Sequence, residues 1–138
     1  MKLERQTYII LVSFYFCLLN ADFAKAQINQ YQAYKVIVDG SIGEPSTTFQ
    51  ETDIILDLNR DRISIIGPDE TNIYNILLEM EDQDENGNYI RTFQVEGRSG
   101  EEEYRIHFLR RGKDSEPENC VFETRLFGGV TSNYFLKN

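Results

Sequence analysis

Between Asn72 and Val95 the chain alternates in polarity on both sides of an Asn86-Gly87 dipeptide, and this stretch constrains the fold more than any other. Before the dipeptide, Tyr74, Ile76, Leu78 and Met80 are apolar while Asn75, Glu79 and Glu81 are polar, the two-residue period of a half-buried strand. Leu77 is the one exception. After it, Tyr89, Phe93 and Val95 alternate with Thr92, Gln94 and Glu96. Asn-Gly suits a two-residue type I′ turn, because both central residues take positive φ there and these two do so at least cost. A loop of Asn86 and Gly87 sets Met80 opposite Phe93 and Leu78 opposite Val95. A slip of one residue would turn one strand's apolar set to water, so this register is the expected one.

The next turn extends the pattern. With Ser99-Gly100 as the loop, Tyr104 faces Val95 and Ile106 faces Phe93, which adds a third apolar row to the same side. Upstream, Ile54, Leu56 and Leu58 precede Asn59-Arg60-Asp61, and Ile63 and Ile65 follow. A two-residue loop at Arg60-Asp61 pairs Ile63 with Leu58 and Ile65 with Leu56; a bulged three-residue loop is the alternative. Tyr34, Val36 and Val38 predict a first strand behind a polar lead-in from Gln27 to Ala33. Further strands are expected over Phe49–Leu58, Arg62–Ile66, Cys120–Phe127 and Ser132–Leu136. A two-residue Gly128-Gly129 loop would set Glu123 against Tyr134, so that loop is longer or its strand is bulged. No stretch holds a helical period. About eight short strands joined by hairpin turns predict an all-β antiparallel meander curled into a barrel or half-barrel, with a two-sheet β-sandwich as the alternative.

Met1 to Ala26 reads as a secretory signal peptide: Lys2 and Arg5, an apolar run from Tyr8 to Leu19, then Ala24-Lys25-Ala26 as a small-x-small cleavage site. The expectation is a single β domain over Gln27–Asn138, secreted or periplasmic after cleavage near Ala26, with no membrane span in the mature chain. The full chain carries 14 basic and 23 acidic residues and a net charge of −9. Cleavage removes three bases and two acids, adding one further negative charge. Such a surface repels nucleic-acid phosphates and favours basic partners or divalent cations. Cys17 leaves with the signal, so Cys120 stands alone and no internal disulfide staples the domain. Its place before Val121 and Phe122 reads as a small buried hydrophobe rather than a reactive thiol.

Candidate chemistry is sparse. Asp82, Asp84 and Asn86, with Gly87 following, start like an EF-hand-type calcium loop and make Ca²⁺ the one cofactor candidate. The twelfth position, where a bidentate carboxylate belongs, is Phe93, and the same residues are also explained as a hairpin tip. His107, the only histidine, falls by alternation on the outer face with no serine or cysteine near it in sequence. Glu101, Glu102 and Glu103 directly follow a turn, which argues for solvent rather than for an acid/base pair in a cleft. Arg110, Arg111 and Lys113 form the one basic cluster and read as a solvated loop.

The run Ser99-Gly100-Glu101-Glu102-Glu103-Tyr104 resembles the Ser-Gly-x-x-Tyr motif of periplasmic lysozyme inhibitors, with one residue more before the tyrosine and without the disulfide common in that family. The resemblance implies a small β-barrel that inserts a loop into its enzyme's cleft, with Ser99, Gly100 and Tyr104 binding the partner. The residues themselves support an exported, non-enzymatic β domain that binds a protein partner, or a small ligand in a cavity lined by Tyr74, Phe93, Ile106 and Phe122. Inhibition of a basic secreted hydrolase such as a lysozyme is the alternative, and a calcium-binding surface module a further one.

Overall fold

The structure is a computed structural model describing residues 27–40, 43–100, 103–124 and 129–137. The segment read as a signal peptide, Met1–Ala26, lies outside the described residues, as do Glu101, Glu102 and residues 125–128 of the last turn. Among the described residues there are nine strands and no helix: β1 (Ile28–Asp39), β2 (Ser46–Thr48), β3 (Thr52–Asp57), β4 (Arg62–Ile66), β5 (Thr71–Gln83), β6 (Tyr89–Gly97), β7 (Glu103–Arg110), β8 (Asn119–Thr124) and β9 (Thr131–Leu136). From β3 to β9 each strand pairs antiparallel with the next, and β9 returns to pair with β1, which also pairs with β3. The result is a closed eight-stranded barrel, and closure excludes both the half-barrel and the sandwich. The extra strand, β2, lies along residues 36–38 of β1, where β3 no longer reaches.

The interior follows from alternation. Leu56, Ile63 and Tyr74 form one cross-strand row, and Phe93, Ile106 and Phe122 another. Ile54, Ile63, Phe93, Val95, Ile106 and Cys120 have no exposed surface. The expected β6–β7 register holds: Val95 is opposite Tyr104 and Phe93 opposite Ile106. At β3–β4, Leu56 pairs with Ile63 and Ile54 with Ile65, two residues from the expected register. A shift of two keeps every side chain on its face. Asp61 makes it possible by adopting φ 49°, a left-handed conformation that aspartate tolerates.

Met80 is not opposite Phe93; it faces Thr92, and Glu79 takes the place across from Phe93. Two local causes combine. At the tip, only Gly87 of the dipeptide has positive φ, so the turn is not type I′. Gly87 N donates to Asp84 O at 3.0 Å and Asp84 N to Asn88 O at 2.9 Å, which closes a three-residue loop with glycine in the left-handed position. The Asp84 carboxylate enforces that loop by accepting hydrogen bonds from Asn86 N, Asn88 N and Asn88 Nδ2. The second cause is a bulge between Ile76 and Leu78, where Leu77 is inserted. Ile76 still meets Val95, but beyond the bulge Leu78 and Met80 turn outward, and Glu79 shares the face of Phe93.

A deletion tests this account. Removing Leu77 leaves an unbulged strand with Ile76 still opposite Val95 and Glu79 still opposite Phe93. Stability is therefore expected to stay within about 1 kcal/mol of the parent, as for a surface change. A urea midpoint that collapses on deletion would show that the bulge itself holds β5 in place.

The polar lead-in is also strand. Residues 28–33 of β1 pair with β3, and a bulge between Ala33 and Lys35 turns Tyr34 outward while Ala33 and Val36 both stay buried. Phe49, expected to begin a strand, lies before β3 and is 78% exposed.

Candidate functional site

The residues expected to line a ligand cavity sit in packed core. Phe93 and Ile106 have no exposed surface, and Phe122 lies 5.2 Å from Tyr74 between ring centroids. Tyr104 belongs to the same group, 5.4 Å from Tyr74 and 5.1 Å from Phe122. Its ring points into the barrel, whereas Ser99 and Gly100 lie in the exposed β6–β7 turn. That turn closes through Gly100 N donating to Gly97 O, with Gly100 at φ 71°. The structure thus separates Tyr104 from Ser99 and Gly100.

Asp82, Asp84 and Asn86 lie together at the hairpin tip, where the carboxylates of both aspartates are engaged within the loop. Asp84 uses both carboxylate oxygens within the loop, and Asp82 Oδ1 accepts from Gln83 N at 2.7 Å. The Asn88 donors hold the Asp84 carboxyl below the usual aspartate range. Among the described residues no three His, Cys, Asp or Glu side chains converge as metal ligands.

Beyond the bulge the two faces of the β5–β6 hairpin exchange character. The inner face carries charge: Glu79 Oε1 accepts from Arg91 Nε at 2.6 Å, and Glu81 Oε1 accepts from Arg110 Nη2. Both guanidinium groups lie over rings, Arg91 over Phe93 at 5.1 Å and Arg110 over Tyr89 at 5.7 Å. Tyr31, 5.3 Å from Phe108, completes this end of the interior, and burial raises its hydroxyl pKa. These ion pairs cap the core where apolar side chains run out.

The outer face of β5 keeps apolar side chains, with Leu78 set opposite Gln94 and Met80 opposite Thr92 on β6. Leu77, Leu78 and Met80 are 49%, 50% and 43% exposed. Across the sheet from them, Ile90 on β6 pairs with Leu109 on β7, and both are half-buried. A strand face of this kind normally turns its large aliphatic residues inward.

On the same outer face His107 is held at both ring nitrogens. Nδ1 is 2.8 Å from Thr92 Oγ1 and Nε2 is 3.0 Å from Glu123 Oε2. The connectivity is hydroxyl, imidazole, carboxylate, and the Thr92–His107 pairing was implicit in the β6–β7 register. Its setting is the outer surface of interior strands, whose backbone N–H groups are spent sideways in the ladder and do not converge on a developing oxyanion. Sequence reasoning missed this triad, the inner ion pairs and the apolar side chains on the outer face of β5; the sole signal for the last two was the irregularity at Leu77.

Comparison with protein-family models, with curated proteins and with solved structures finds no match to this chain.

Proposed function

We propose that this is an exported, non-enzymatic binding domain that engages a protein partner through the outer face of its β5–β6 hairpin. The observation that carries the reading is the inversion at Leu77, which leaves Leu77, Leu78 and Met80 about half exposed. Burying the half of each side chain that is still exposed yields roughly 1 kcal/mol apiece in an interface. The acidic Asp82 and Glu85 near the tip supply a polar rim of the kind that surrounds apolar interface centres. Export is supported by the signal-like Met1–Ala26 segment of the sequence. A surface mode rather than an internal ligand is favoured by the close packing of Tyr74, Phe93, Tyr104 and Phe122.

The test is a comparison of variants. Leu78→Ser/Met80→Ser should fold like the parent, since both side chains are already exposed, yet lose at least tenfold in affinity for whatever protein the parent retains on a column. Phe49→Ser, which removes an exposed aromatic elsewhere, should retain it. Equal retention by the double variant and the parent would refute the reading.

A further inference from the structure

The β5–β6 hairpin has an edge as well as a face. β4 follows β5 only along residues 71–75, and the last link on that side is Ile76 N donating to Asp61 O at 2.8 Å. From Leu78 to Gln83, β6 is the one strand paired with β5 among the described residues. β6 is flanked on its other side by β7 as far as the Tyr89–Arg110 pair, so the hairpin is anchored along one edge and bare along the other.

The phase of the ladder decides which groups lie bare. Asp84 N donates to Asn88 O, which makes these two a hydrogen-bonded pair. Such pairs alternate along an antiparallel ladder, so Asp82, Met80 and Leu78 spend their backbone groups on β6, while the N–H and C=O of Glu79, Glu81 and Gln83 point away from it. The Gln83 N–H is taken by Asp82 Oδ1. Those of Glu79 and Glu81 lie along an edge whose residues, Leu77 to Gln83, are all exposed. Open edges are ordinarily short, covered or guarded by charge. Here the guard has a single sign: Glu79, Glu81, Asp82, Asp84 and Glu85 fall between Leu77 and Glu85, a span with no Lys or Arg. Glu79 and Glu81 each give Oε1 to an arginine, yet their side chains stay about half exposed.

We propose that a basic, extended segment of the protein partner adds to this edge as an antiparallel strand. Strand addition of this kind presupposes the binding role proposed above and specifies the chemistry of the partner. Backbone pairing with Glu79 and Glu81 supplies its hydrogen bonds. Alternation in the incoming segment sets one row of its side chains beside Glu79 and Glu81 and the other beside Leu78 and Met80, so basic and apolar residues in turn fit both faces. A second copy of the chain fits worse, because two-fold pairing of this edge with itself sets acid against acid.

The experiment titrates the ¹⁵N-labelled full chain with the capped peptide Lys-Val-Lys-Val-Lys-Val-Lys, with its Glu-for-Lys counterpart, and with forms N-methylated at either the lysine or the valine amides. With lysines beside Glu79 and Glu81, the lysine amides face β5 and the valine amides face away. Saturable shifts with the basic peptide are expected, with hydrogen exchange at the Glu79 and Glu81 amides slowed about tenfold or more. The glutamate peptide and the lysine-methylated form should bind about tenfold more weakly or worse, and the valine-methylated form like the parent peptide. No saturable shift, equal affinity for the two charges, unchanged exchange at Glu79 and Glu81, or valine methylation as damaging as lysine methylation would overturn strand addition. A dimer of the free chain with those two amides already protected would give the edge to a second copy and overturn it as well. Loss of the column-retained protein by Leu78→Ser/Met80→Ser alongside any of these results leaves the outer-face reading standing and removes strand addition alone.

Discussion

Replacing Phe93 by alanine is expected to lower stability by about 3–5 kcal/mol, a large share of the usual margin of about 5–15 kcal/mol for a domain of this size. Phe93 has no exposed surface and meets the Phe108 ring edge-on at 5.9 Å, with Ile106 opposite on β7. It also carries the guanidinium of Arg91. Truncation opens a void beneath an ion pair, so neither collapse of the surroundings nor entry of water restores what is lost. Urea denaturation of Phe93→Ala and Phe93→Leu measures the effect. Leucine should recover more than half of the loss, and a midpoint for alanine within about 1 kcal/mol of the parent would contradict this packing.

The second large effect is a loss of stability in alkali. Cys120 is fully buried, and burial pushes its thiol pKa up, far above that of an open cysteine. Tyr134, opposite it on β9, is displaced in the same direction for the same main reason. Both groups are neutral when folded, and the unfolded chain ionises first. Stability is therefore intact below about pH 8.5, the range of a free thiol, and falls above it by about 1.4 kcal/mol per pH unit, reaching about 2–3 kcal/mol by pH 10.5. Tyr134 adds to the slope only above about pH 10. Urea midpoints at pH 8, 9.5 and 10.5 should decline for the parent, while Cys120→Ala, whatever its starting stability, should stay level until tyrosine ionises. A parallel decline in the two proteins would assign the alkaline transition to other groups.

The register of β6 and β7 was legible because both strands lie deep in the sheet and their inward residues are large and apolar without interruption. The β5–β6 hairpin was half legible. Asn86-Gly87 correctly marked a turn, but the dipeptide does not act alone: Asp84, two residues earlier, offers a carboxylate to three loop donors and selects a longer closure. One residue of difference at the tip reverses the faces, and the extra residue at Leu77 restores them only nearer the base. Apolar residues at Leu78 and Met80 therefore gave the right period with the wrong side.

In β1 the inward set begins with Asn29, Tyr31 and Ala33, too polar and too small to show a pattern, so its pairing with β3 left no trace in the sequence. The Thr92–His107 contact could have been read from the pairing of Phe93 with Ile106 one step along.

Closure of β9 onto β1 brings the first and last strands of the domain side by side. A chain delivered N-terminus first must keep the rim of β1 bare until Leu136 has emerged, because no earlier strand can take its place along residues 35–39 on that side. Maturation of the fold thus waits on its final few residues, and in that interval the nascent polypeptide is most prone to self-association.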